Sequence, residues 1–183
     1  MISKWEELSK FGQKLITAGL THAHFGNIST RHGDKLLITS TGSMLDEIRE
    51  KHVIELYTQK PGPKDKLASC EAVVHRAIYA QTSAKAVIHS HSPYAVALSL
   101  LNDDHIEPID SEGLNFLHKI PIVEGYMGSE ELAKNVSQSL RNHRACIARG
   151  HGVFAIGSNL EEAYVVTCMV EHCSMIKHLV EGP

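Results

Sequence analysis

Asn27-Ile28-Ser29-Thr30-Arg31 and Lys35-Leu36-Leu37-Ile38-Thr39, joined through His32-Gly33-Asp34, decide the fold class. Two short β-prone runs with a Gly-containing connection read as a hairpin. A hairpin joins antiparallel strands, so the sheet that receives them cannot be all parallel. Upstream, Ser3-Lys4-Trp5-Glu6 has the form of a capping box. Behind it Trp5, Leu8, Phe11, Leu15 and Ile16 recur at helical spacing up to a stop at Gly19. Downstream, Val53–Tyr57 reads as a further strand, and Lys60-Pro61-Gly62-Pro63-Lys64-Asp65 is the clearest breaker.

Beyond that breaker, Ser69–Gln81 carries Val73, Val74, Ala77 and Ile78 as one helical stripe. Ala86–His91 is a strand that stops at Ser92-Pro93, an N-cap followed by a proline suited to the first helical position, and the helix runs to Leu101. Ile106–Ile109 and Ile120–Val123 read as strands, and Ser129 opens a helix with Leu132, Val136 and Leu140 inward. Ala145–Ala148 and Val153–Ile156 are strands around Gly150-His151-Gly152, and Asn159 begins a last helix. Strands and helices are mixed throughout, without repeats or low-complexity segments. The expectation is a single α/β domain over residues 1–183, with a mixed, largely antiparallel sheet covered by helices.

Composition narrows the function. A chain of 183 residues, 43% hydrophobic, can bury a core without staples. Eighteen basic against 21 acidic residues give a net charge of −3, and no run of Lys and Arg occurs, which argues against a nucleic-acid partner. The longest apolar stretches, Tyr94–Leu101 and Tyr164–Val170, are shorter than the about 20 residues that span a bilayer. Met1–Glu7 is polar where an export signal needs an apolar segment, so a cytoplasmic protein without a membrane partner is expected. Four cysteines without a C-x-x-C pair read as reduced thiols. Thirteen histidines prompt a search for a metal site.

His89-Ser90-His91 is the sharpest local signal. Residues i and i+2 of a strand share a face, so both imidazoles can chelate one ion, or else lie half-buried against neighbours. His151, between two glycines at a strand junction, would complete a three-ligand catalytic set with an open position. Its plain alternative is an incidental turn residue. Glu71 stands where a carboxylate either caps a helix or acts as ligand or general base beside a metal. His75, four residues on, either orients it or is an ordinary histidine. Gly26-Asn27-Ile28-Ser29, Thr41-Gly42-Ser43 and Ser69-Cys70 are clusters of small donors that either form turns or jointly hold a phosphate.

Taken together, Gly26-Asn27-Ile28-Ser29, Thr39-x-Thr41-Gly42, Ser69-Cys70-Glu71-x-x-x-His75, His89-x-His91 and Gly150-His151-Gly152 resemble, in order and spacing, the class II aldolase family that also contains the adducin head domain. The resemblance runs from about residue 5 to residue 175. It implies a three-layer α/β/α fold and a homotetramer with sites between subunits. It also implies one Zn²⁺ per subunit on His89, His91 and His151, with Glu71 beside it as acid/base. Asn27, Thr41, Gly42, Ser69 and Cys70 match the phosphate-binding positions. The implied reaction is reversible cleavage of a ketose 1-phosphate, L-fuculose 1-phosphate foremost, to dihydroxyacetone phosphate and L-lactaldehyde through a metal-bound enediolate.

Two positions depart from the family pattern. Cys70 stands where many members have a second Ser, and Ile106–Gly113 lacks the tyrosine that protonates the leaving aldehyde. The tail that supplies another family tyrosine lies beyond Pro183. Asp110 and Glu112 are the expected substitutes. Within the family the rivals are a sugar-phosphate 4-epimerase, whose branch usually has Asp where Glu71 stands, and a thioribulose-1-phosphate dehydratase. Outside enzymes the rival is an adducin-like interaction module, which is expected to lose the metal residues.

Overall fold

A computed structural model of the chain describes residues 3–182. The first helix, α1 (Lys4–Thr17), starts where the Ser3 backbone N–H donates to the Glu6 carboxylate at 2.7 Å, and it buries Leu8, Phe11 and Leu15. The hairpin is present: β1 (Asn27–His32) and β2 (Lys35–Thr39) pair antiparallel with Ser29 opposite Ile38. β3 (Val53–Tyr57) extends it on the β2 side, and β4 (Ala86–Ser90) pairs with β1, placing Asn27 opposite His89. The sheet continues with β5 (His105–Ile106), β6 (Ile120–Val123), β7 (Ala145–Ala148) and β8 (Gly152–Gly157). Its order is β3-β2-β1-β4-β8-β7-β6-β5. Only β6 and β7 run parallel among these pairs, as expected of a mixed, largely antiparallel sheet.

Strand alternation sorts the core into two layers of helix around the sheet. On one face α2 (Ala72–Gln81) and α5 (Glu130–Ser139) pack on Leu36, Ile38, Val87, Cys146 and Phe154. On the other, α1, α3 (Pro93–Leu101) and α6 (Leu160–Glu181) pack on Ile28, Ala86, Ile88, Ile147 and Val153. The fold is a three-layer α/β/α domain.

Three expectations are corrected. The strand read over Ile106–Ile109 is only His105–Ile106. Pro108 has no N–H to give a ladder, and Asp110 caps a short helix, α4 (Ser111–Phe116), by accepting the Gly113 N–H at 3.0 Å. The helix read from Ser69 begins at Ala72, which puts Glu71 at its N-cap position. The strand read to His91 ends at Ser90. No helix among the described residues is long and apolar enough to cross a membrane.

Candidate metal centre and active site

His89 is fully buried on β4 and His91 follows one residue past its end, and their Nε2 atoms lie 3.2 Å apart. His151 arrives from the turn between β7 and β8, with its ring centroid 4.7 Å from that of His89 and 4.9 Å from that of His91. One ligand atom from each of the three lies within 4.8 Å of the others. Two glycines permit this approach. A Cβ on Gly152 would lie 2.3 Å from the Ser90 carbonyl oxygen and 2.8 Å from His89 Cε1. One on Gly26, whose φ is +78°, would lie 2.6 Å from the His89 carbonyl oxygen.

The chemistry of this cluster fits a cation. His89 Nδ1 lies 3.0 Å from the Val153 carbonyl oxygen, which only accepts, so Nδ1 carries the hydrogen and Nε2 presents a lone pair. That lone pair faces His91 Nε2 and, at 3.1 Å, Glu71 Oε2. Both His151 nitrogens and Glu71 Oε1 are buried without a hydrogen-bond partner. Acceptors crowded in this way are satisfied by a divalent ion, and three imidazoles leave it an open coordination position. Burial, assisted by the neighbouring His151 and His91, drives His89 well below its ordinary pKa. Burial likewise takes His91 down to about 4 and lowers His151. The rings are therefore held neutral, the form that binds a metal.

Glu71 is 1% exposed at the N-terminal, electropositive end of α2. Burial raises its carboxyl to about 7, and the Asn27 amide, donating to Oε2 at 2.9 Å, opposes that rise. A cavity of about 110 Å³ opens in front of it, and Asn27, Thr41, Gly42, Ser69 and Cys70 all line it beside His91 and His151. Backbone bonds assemble this wall: the Thr41 N–H donates to the Leu67 carbonyl and the Ser69 N–H to the Thr39 carbonyl, both at 3.1 Å. Ser69 and Cys70 also border a wider cleft of about 1030 Å³. Burial pushes the Cys70 thiol upward.

Some placements differ from the sequence reading. Asp110 and Glu112 do not line this cavity. The Asp110 carboxylate is committed to capping α4. Burial pushes it up, but the Gly113 N–H and the Cys173 thiol outweigh that and leave it below its ordinary value. Glu112 is exposed, bonded to the Ser111 hydroxyl and likewise lowered. Neither is placed to hand a proton to a substrate in this chain's own cavity. His75 bonds to Asn27 rather than to Glu71. Ser29, read with the donor cluster, faces His75 and not the cavity.

Ser43, read with the donor cluster Thr41-Gly42-Ser43, lines the cavity, whereas sequence reasoning missed His24, Phe25, Ser40 and Met127, which also line it. Phe25 stacks on His91 with centroids 5.1 Å apart. Its position beside Gly26 was the available signal, whereas Met127 comes from a loop distant in the chain.

A class II aldolase, an enzyme of the lyase type that works with a divalent metal, is what this fold and this cluster of imidazoles define together. Residues 6–178 match the family described as Class II Aldolase and Adducin N-terminal domain, and the chain belongs to it. The chain is 35% identical over 148 residues to the L-fuculose phosphate aldolase of Methanocaldococcus jannaschii, covering 80% of each chain. It is 32% identical over 158 residues to that of Escherichia coli K12, covering 84% of this chain and 72% of the relative. A crystal structure of L-fuculose-1-phosphate aldolase from Thermus thermophilus is similar with a TM-score of 0.92 at 34% identity, covering 97% of this chain and 93% of that one.

Proposed function

We propose that the protein is a zinc-dependent aldolase that reversibly cleaves a ketose 1-phosphate, L-fuculose 1-phosphate foremost, to dihydroxyacetone phosphate and L-lactaldehyde. The observation that carries this reading is one cavity shared by two of the three imidazoles, a buried carboxylate and all five expected phosphate-binding residues. A zinc ion on His89, His91 and His151, one per subunit, would supply the positive charge that stabilises negative charge developing on the sugar oxygens.

Glu71 is the proton carrier. Its Oε2 is anchored by Asn27, and Oε1, buried and without a partner, is the atom left to take a proton from substrate carbon or return it. The phosphate is held by neutral donors. Thr41 and Ser69 offer hydroxyls, Gly42 and Cys70 backbone N–H groups, and Asn27 the amide hydrogen that Glu71 does not use. These groups orient the sugar so that one carbon faces Glu71.

The acid for the leaving aldehyde is not supplied by this chain's Asp110. Glu112 can serve only if a neighbouring copy carries it to the site, which a homotetramer with sites between subunits would do. Exposed Leu114 and Phe116 on α4, with Leu100 and Leu101 on α3, are apolar surface suited to such contacts. A cytoplasmic setting agrees with four free cysteines.

The test is incubation with a panel of ketose phosphates while dihydroxyacetone phosphate is assayed. L-Fuculose 1-phosphate should be cleaved and a chelator should abolish the reaction. An epimerised or dehydrated product without dihydroxyacetone phosphate would move the chain to another branch of its family. Absence of both metal uptake and turnover would leave an adducin-like module.

A further inference from the structure

Behind Glu71 and Asn27 lies a chain of buried polar groups, His75, Ser29 and Tyr79, that metal and phosphate binding do not use. Asn27 Nδ2 donates to Glu71 Oε2 at 2.9 Å, and Asn27 Oδ1 lies 2.6 Å from His75 Nε2. His75 Nδ1 lies 2.6 Å from Ser29 Oγ, and Ser29 Oγ lies 2.7 Å from the Tyr79 hydroxyl. Asn27, Ser29, Glu71, His75 and Tyr79 are each at most 5% exposed. The arrangement follows from matched periods. Alternate residues of β1 advance by about 6.7 Å, and every fourth residue at the start of α2 by about 6 Å. Asn27 and Ser29 therefore keep step with Glu71, His75 and Tyr79. Arg31, the next β1 residue in phase, donates to the Tyr79 carbonyl at 2.8 Å and closes the run.

The polarity of the chain is determined from its Glu71 end. Whether Glu71 is ionised or carries its proton on Oε1, its Oε2 only accepts, so the Asn27 amide must turn its NH₂ to Glu71 and its oxygen to His75. His75 must then donate from Nε2, which makes Nδ1 an acceptor for the Ser29 hydroxyl, and Ser29 in turn accepts from Tyr79. A His75 ring donating from both nitrogens would be a cation, and burial keeps its pKa down to about 3. An amide turned the other way would set two acceptors face to face in a buried site, which is costly.

We propose that His75 is a positioning residue: backed by Ser29 and Tyr79, it locks the Asn27 amide in the one orientation that anchors Glu71 by Oε2 and leaves Oε1 free. This rests on the reading of Glu71 as proton carrier. In a fully buried site, shape alone would be met by an aromatic carbocycle, so a purely structural role predicts that His75→Phe changes stability and not the rate of the folded enzyme.

The test combines a spectroscopic and a kinetic readout on the metal-loaded protein. Long-range ¹H–¹⁵N spectra at neutral pH should show His75 as the Nε2–H tautomer, with the Asn27 side-chain amide protected from exchange. In His75→Phe, kcat should fall by about 10–100-fold while KM moves by less than about threefold and the zinc content stays unchanged. Should His75→Phe fail to fold, Ser29→Ala and Tyr79→Phe remove the backing hydrogen bonds with less disturbance. They should lower kcat in the same direction and expose the Asn27 amide to exchange. An Nδ1–H tautomer in the wild type, or an unchanged kcat in the folded variants, would overturn the proposal. If the wild type cleaves no ketose phosphate, the aldolase reading fails. The tautomer and the Asn27 exchange then decide the positioning role separately.

Discussion

Glu71 holds one oxygen against Asn27 and the other 3.9 Å from His151 Nε2, so its replacement separates proton transfer from metal binding. Glu71→Gln keeps the size and the anchoring contact but carries no transferable proton. It should lose about 10²–10⁴-fold in turnover while metal analysis returns the wild-type content. Near wild-type cleavage would remove Glu71 from its role.

The buried histidines make a second claim, about the metal-free protein. Burial holds His75 at about 3 and His91 at about 4, and His89 and His151 are lowered as well. In the unfolded chain such rings take protons near 6.5, so below that pH the unfolded state binds more protons and native stability falls. Glu71 acts oppositely: raised to about 7 from an ordinary 4.5, it costs stability as pH rises through that interval. Four histidines outweigh one carboxylate. The urea midpoint of metal-stripped protein should therefore rise between about pH 4.5 and 6.5, and a falling midpoint would contradict neutral burial of the rings.

At this scale the sequence was partly legible. His89-x-His91 could be read because residues two apart in extended backbone share a side, which holds here although β4 itself stops at Ser90. The bond from His75 to Asn27 could not, because it joins positions 48 apart and needs the register of a helix against a strand.

Among the elements, β4 and the turn into β8 carry the metal centre, and Gly152 is where they touch. Gly152→Ala would drive a methyl into the Ser90 carbonyl and the His89 ring. The strands must separate or His89 must move. A loss of about 1–3 kcal/mol in stability is expected, together with weakened zinc retention on dialysis. An unaltered melting temperature with full zinc would show that the contact is not tight. The hairpin, β3, β6, β7 and the long helices were readable from period and caps. α4 was not, because Ile106 and Ile109 imitate a strand, although Pro108 between them has no N–H for a ladder. Asp110-Ser111-Glu112-Gly113 does carry the cap signature, Asp three residues ahead of an N–H that it binds.

For the whole molecule, the three layers explain why chemistry gathers where it does. α2 covers the sheet face that carries His89, so the N-terminus of that helix delivers Glu71 to the end of β4. Asn27 reaches the same point from β1, and the loop from Thr39 to Ser43 is stitched to Leu67–Ser69 beside it. The motifs, through the family they resemble, foretold the class of protein. They could not foretell that the acid positions chosen in Ile106–Gly113 would turn away from the metal residues of their own chain. That depends on α4 folding against α6, where Asp110 meets Cys173.

The most direct measurement is a zinc titration of metal-stripped protein with dihydroxyacetone phosphate release from L-fuculose 1-phosphate followed at each addition. Activity should be absent at the start and reach its plateau at one zinc per chain. Cleavage by the stripped protein, or zinc bound at one per chain without any cleavage, would contradict the account.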